Sequence, residues 1–190
     1  MGEPAAGYPH SRYSRGAIAF HWVIAALIIA NLAGALISDD WDKPARALVM
    51  GLHKATGMTI LVLSLARIGW RIGHKPPPLP PGIRPWEKVA ANTAYVVFYA
   101  MMIVLPLTGW LMISASATRR PFAWYGLFDL PFLPVQGNKP LNGFAHEAHE
   151  LLGYAMIALL LLHILAALKH HFFDGTRLIA RMWPGPAAIR

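Results

Sequence analysis

Four histidines carry the chemistry open to this sequence: His21, His53, His149 and His163. Each lies in or beside a long apolar run, where an ionisable ring is costly and is usually kept for a task. The chain has no cysteine, so any metal must rest on nitrogen or oxygen ligands. Thiolate-bound iron–sulfur clusters, covalent C-x-x-C-H haem attachment and disulfides are thereby excluded. His149 and His163 stand fourteen residues apart. On one α-helix that spacing is close to four turns, which puts both rings within roughly 40° of one face and about 21 Å apart along the axis. A single two-histidine metal site would want a spacing of three or four. The pair therefore points to two sites at two depths.

The elements that must position these rings are membrane spans. The 190 residues are 56 % hydrophobic and 14 % charged, whereas a soluble domain carries nearer a quarter charged. Four apolar runs reach the roughly 20 residues that a bilayer crossing needs. They cover about 16–37, 49–72, 91–113 and 149–168. The first is too long for a secretory signal core and ends in no small-residue cleavage site, so it is read as a retained span. The connections differ in kind. Residues 38–48 are short and acidic, and 74–88 hold the cluster Pro76, Pro77, Pro78, Pro80 and Pro81. Residues 114–148 are rich in Pro, Phe and Trp and suit a membrane interface. The tail from Phe172, with Arg177, Arg181 and Trp183, reads as an amphipathic surface segment. The expected architecture is all-α, a single-domain integral membrane four-helix bundle.

Charge sets the orientation. With both termini on one side, that face receives eleven Lys and Arg against six on the other, and three of the nine acids against six. The positive-inside rule then predicts that both termini are cytoplasmic. The net charge of +8 is explained by this clustering at span ends, so no nucleic-acid partner is expected.

Helix direction now sorts the histidines. His21 enters from the cytoplasm and His163 descends to meet it; His53 and His149 both lie near the outer surface. Two level pairs on different helices suit two haems b, each held by two imidazoles, with His21/His163 on the cytoplasmic side and His53/His149 on the periplasmic side. Full ligation favours electron transfer over oxygen binding. Haem propionates need cationic or polar partners, for which Arg67, Arg71, Lys169, His170 and His171 are candidates inside and Lys54 outside. Plain cytoplasmic anchoring is the other reading of Arg67 and Arg71. His10, His74 and His146 are read as interfacial polar residues. Pro106 and Gly109, in the histidine-free third span, are expected to kink or thin that helix for a flat neighbour.

Several motifs together resemble the bacterial cytochrome b561 family. They are Tyr13-Ser14-Arg15 with Phe20-His21-Trp22, Gly51-Leu52-His53-Lys54 leading to Arg67 and Arg71, and Leu105-Pro106-Leu107-Thr108-Gly109-Trp110. To these the fourth span adds His149-Glu150 through His163 to Lys169-His170-His171-Phe172. The resemblance runs from about Tyr13 to Pro184. It implies a four-helix inner-membrane protein with two haems b and ubiquinone as a redox partner. A characterised family member is a superoxide oxidase, and its ligand positions map onto His21, His53, His149 and His163. His146 is the competing candidate for the outer haem.

The resemblance also implies outer-sphere electron transfer at the outer haem. Superoxide would be drawn by local positive charge, with Lys54, Arg119 and Arg120 as candidates. Trp124 and Tyr125 would cover a quinone pocket, or else simply anchor the loop in the membrane. Two further readings remain. One is a haem-b subunit serving a partner dehydrogenase or a periplasmic redox protein. The other is a haem-free transporter or metal-binding scaffold, disfavoured by the absence of carboxylates at the span centres.

Overall fold

The computed structural model describes residues 12–79, 82–174 and 178–184. His10, Pro80, Pro81, Arg177 and Arg190 lie outside the described residues. Each helix begins where a local signal stops the preceding chain. Helix α1 (Arg15–Ile37) starts at Ser14, whose Oγ accepts from the Ala17 amide at 3.3 Å. Helix α2 (Lys43–Gly73) follows Asp42 and carries Pro44 in its first turn. Helix α3 (Pro85–Ala115) opens on a proline, and the Glu87 carboxylate accepts from the Arg84 amide at 3.0 Å. Helix α4 (Lys139–Phe172) is capped by Asn138, whose Oδ1 accepts from the Leu141 amide at 3.1 Å. Proline fits the first turn because its missing N–H would have no intrahelical partner there.

All four helices are long and apolar enough to cross a membrane, which bears out the expected bundle. They run beyond the apolar stretches at several ends. Residues 43–48, 85–88 and 139–148, read from sequence as connections, are helical. The apolar count marks only the part that sits in hydrocarbon; proline and capping residues extend each helix into the polar boundary.

Helix α1 packs on α2, α2 on α3, and α3 on α4. The core is Ile24, Ile28, Ile60, Met101, Met102 and Met156. Large apolar side chains such as Val62, Ile72, Leu151 and Leu165 face outward, the pattern of helices solvated by lipid.

The two ends of the bundle are finished differently. Between α3 and α4, strands β1 (Ala123–Trp124) and β2 (Phe128–Asp129) form an antiparallel hairpin. Tyr125 and Gly126 turn it with φ of 48° and 76°, the type I′ pattern that matches the twist of paired strands. The hairpin docks on α2: Trp124 Nε1 donates to Thr59 Oγ1 at 3.0 Å, and Tyr125 Oη lies 3.0 Å from Thr56 Oγ1. At the opposite end, the short helix α5 (Leu178–Met182) folds back over the start of α1. Trp22 Nε1 donates to the Met182 carbonyl at 2.6 Å and the Tyr13 amide to the Arg181 carbonyl at 3.3 Å. The described part of the tail, residues 178–184, is thus a clasp on the start of α1. We call these the hairpin face and the clasp face.

Candidate functional site

Helix α4 supplies one histidine at each of two levels, and its partners come from helices running in opposite directions. His53 of α2 and His149 of α4 have ring centroids 6.0 Å apart, at 81° to each other. His21 of α1 and His163 of α4 are 6.2 Å apart, at 66°. Two metal–imidazole bonds of about 2.0 Å end to end, plus about 1.1 Å from each nitrogen to its ring centre, put the centroids about 6 Å apart. Both pairs therefore have the separation at which one metal fits between two rings.

At the hairpin-face pair the far side of each ring is also set. A carbonyl oxygen can only accept, so an Nδ1 that meets one carries the hydrogen. His149 Nδ1–H donates to the Leu105 carbonyl at 3.0 Å, and His53 Nδ1–H to the Asn31 carbonyl at 3.4 Å. That leaves Nε2 of both rings as the lone-pair nitrogen, the usual arrangement of a metal-bound histidine. Gly109 belongs to this arrangement. A Cβ there would sit 3.0 Å from His149 Cε1, so the α3 backbone comes this close to the ring only without a side chain. A cavity of about 640 Å³ opens at the same level, lined by His53, His149, Gly109, Met102, Lys54 and Arg120 among others. Its size lies within the range of cofactor pockets.

The clasp-face pair sits in aromatic surroundings. The Phe98 ring is 5.3 Å from His163, edge-on. The guanidinium carbon of Arg67 lies 5.5 Å from the centre of the Tyr99 ring and that of Arg71 3.9 Å from the centre of Tyr95, within cation–π range. Both arginines line a pocket of about 30 Å³ with Trp70, His74 and Tyr99, closed by Met182 of α5. His74 stacks on Trp70 at 4.0 Å.

The remaining sequence candidates divide. Lys54 lines the large cavity and donates to the Pro121 carbonyl at 2.8 Å. Arg120 lines it as well, whereas Arg119 folds onto its own loop, donating to the Leu133 carbonyl at 3.1 Å above the Phe132 ring. His146 is at the cavity mouth beside Glu150, 4.0 Å away; it is His149 that meets His53. Lys169 is held by ion pairs to Glu87 at 2.7 Å and Asp174 at 2.8 Å, and His170 lies 2.7 Å from the same Asp174. His171 packs edge-on against Phe172. The Lys169 ammonium, reinforced by His170, holds the Asp174 carboxyl below the usual carboxylate range. Sequence reasoning missed the roles of Asn31, Leu105, Thr108, Glu87 and Asp174. The first two act through backbone carbonyls, which no residue type advertises, and Glu87 meets Lys169 from 82 positions away.

Comparison with known proteins identifies the family. The family model described as prokaryotic cytochrome b561 matches residues 12–185. "Cytochrome b561 homolog 2" of Escherichia coli (strain K12) is 28 % identical over 177 residues, covering 90 % of each chain. "Probable superoxide oxidase CybB" of Yersinia pestis is 28 % identical over 175 residues, covering 92 % of this chain and 97 % of that one. "Cytochrome b562" of Cereibacter sphaeroides is 28 % identical over 176 residues, covering 90 % and 94 %. Four membrane-crossing helices and a match over nearly the whole length place the chain in the prokaryotic cytochrome b561 family, haem-b electron-transfer proteins that cross the bacterial inner membrane several times.

Proposed function

We propose that the chain is a di-haem cytochrome b that oxidises superoxide at the hairpin face and passes the electrons to ubiquinone. The observation that carries it is the pair of histidine couples, at two levels, each with the ring separation of a bis-imidazole metal. His53 and His149 hold the outer haem; His21 and His163 hold the inner one. Bound haem would supply one-electron redox chemistry. The protein's own residues do the rest. Nδ1–H bonds to Asn31 and Leu105 orient the outer ligands. Arg67 and Arg71 would pair with inner propionates, and Lys54 with an outer one. Lys54 and Arg120 give the cavity mouth the local positive charge that draws a small anion. Lys169 and His170 are committed to Asp174 and hold the clasp face together, so propionate pairing falls to the arginines.

The reaction balances. Two superoxide anions lose one electron each and become two dioxygen molecules; one ubiquinone takes both electrons and two protons to become ubiquinol. The excess of basic residues on the clasp face supports a cytoplasmic position for both termini and a periplasmic one for the hairpin. "Probable superoxide oxidase CybB" is a relative over almost the full length, which favours superoxide as donor over a partner dehydrogenase.

The test is haem content by pyridine haemochrome on detergent-purified protein, with His53→Ala and His163→Ala beside wild type. The expected result is two haems b per chain, one lost in each variant. Both variants retaining two haems would overturn the ligand assignment. Purified protein that reduces ubiquinone with superoxide alone supports the enzyme; a silent di-haem protein makes it a subunit for a partner.

A further inference from the structure

Pro106 has no backbone N–H, so α3 runs through it one internal donor short. One residue earlier, the Leu105 carbonyl accepts from two side chains: Thr108 Oγ1 at 2.7 Å and His149 Nδ1 at 3.0 Å. Thr108 Oγ1 also lies 3.2 Å from His149 Nδ1. These three atoms close a triangle whose hydrogens are assigned by elimination. The carbonyl has none to give. The hydroxyl has a single hydrogen, spent on Leu105, and two lone pairs. His149 Nδ1–H is therefore shared between the carbonyl and hydroxyl oxygens. His53 Nδ1–H meets instead the more distant Asn31 carbonyl, at 3.4 Å.

We propose that Thr108 is a positioning residue for the outer haem: its hydroxyl, as second acceptor on His149 Nδ1–H, holds that ring and increases electron donation through Nε2. The inference rests on the assignment of His149 as an axial ligand. An imidazole whose far N–H is hydrogen-bonded is a more basic ligand, and such contacts tune the metal it holds. A more strongly donating ligand favours the ferric state and lowers the reduction potential. Thr108 therefore holds the outer haem below the potential that His149 would give it with the Leu105 carbonyl alone. Gly109, the next residue, permits this, because it lets the α3 backbone come up against the ring.

Thr108→Val keeps a similar shape and removes the hydroxyl, Thr108→Ala removes it without crowding, and Thr108→Ser retains it. The measurement is a redox titration of purified holoprotein at the haem α-band, with low-spin electron paramagnetic resonance of the ferric state. Val and Ala are expected to raise the midpoint potential of one haem and move its ferric signal. Ser should leave both at wild-type values, and the other haem should be unaffected throughout. No shift, a downward shift, equal shifts in both haems, or Ser behaving like Val would overturn the proposal. His149→Ala, measured alongside, separates the two claims. If it keeps both haems, the ligand assignment fails. If it loses one while Val and Ala leave the potentials unmoved, only the role of Thr108 fails.

Discussion

The two histidine couples share a separation and differ in almost everything around them. The hairpin-face couple looks into a large cavity with Lys54 and Arg120 at its lining, and both its rings are tethered by backbone carbonyls. The clasp-face couple is hemmed in by Phe98, has two arginines over tyrosine rings nearby, and is roofed by α5. Metal geometry constrains only the distance between rings; access is written by whatever closes each end of the bundle. A small diffusing anion suits the first setting. The second suits a buried relay whose charge is balanced from within the protein.

The sharpest way to break this contrast is Gly109→Val. Its side chain would drive into the His149 ring, and haem content should fall from two per chain to one, with the clasp-face haem retained. Retention of both haems would show that α3 yields and that the close approach is incidental. Arg181→Ala tests the roof. Arg181 is buried and donates to the Pro78 carbonyl at 2.8 Å, and losing a charged hydrogen bond of this kind costs about 1.5–3 kcal/mol. The clasp should loosen, so that ferricyanide oxidises the inner haem faster while the outer one is unchanged in stopped-flow traces.

Gly16→Ala tests the same end without touching a ligand. A Cβ at this position would stand 2.5 Å from the Trp70 ring, and overpacking of this sort costs about 1–3 kcal/mol. The thermal midpoint should fall while both haems remain. Lys54→Gln with Arg120→Gln should slow the reaction with superoxide several-fold at low ionic strength. The deficit should shrink as salt is added, since exposed charges are screened. The smallest effect belongs to Asp174. Its carboxyl titrates lower when folded than unfolded, so the stabilisation is present at neutral pH and is lost as pH falls through the folded value. Asp174→Asn should lower the neutral midpoint slightly, towards the acid value, and so flatten that acid limb of a melting-temperature profile.

Much of this architecture was legible because hydrophobicity reports directly on burial in lipid. The four spans and the level pairing of His21 with His163 and His53 with His149 needed only helix direction and rise. What was hidden depends on contacts between distant or featureless groups. The helical starts at Lys43, Pro85 and Lys139 come from caps and proline geometry, not from apolar count. The hairpin turn at Tyr125-Gly126 gives a weak signal, since tyrosine is an unusual residue at positive φ. Lys169 and Arg119 looked like free cations in the sequence. Their commitments, to Glu87 and Asp174 in one case and to the Leu133 carbonyl in the other, emerge only from folding.

Both couples draw a ring from α4, and this orders the protein's assembly in time. As the chain is threaded into the membrane, His21 and His53 enter early, each with half of a proposed binding site. Neither half is completed until the fourth helix has been inserted, 96 residues after His53 and 142 after His21. On the proposed ligation, cofactor loading is therefore a late event for both levels at once. With those four ligands, a nascent chain halted before α4 would be a membrane protein without colour.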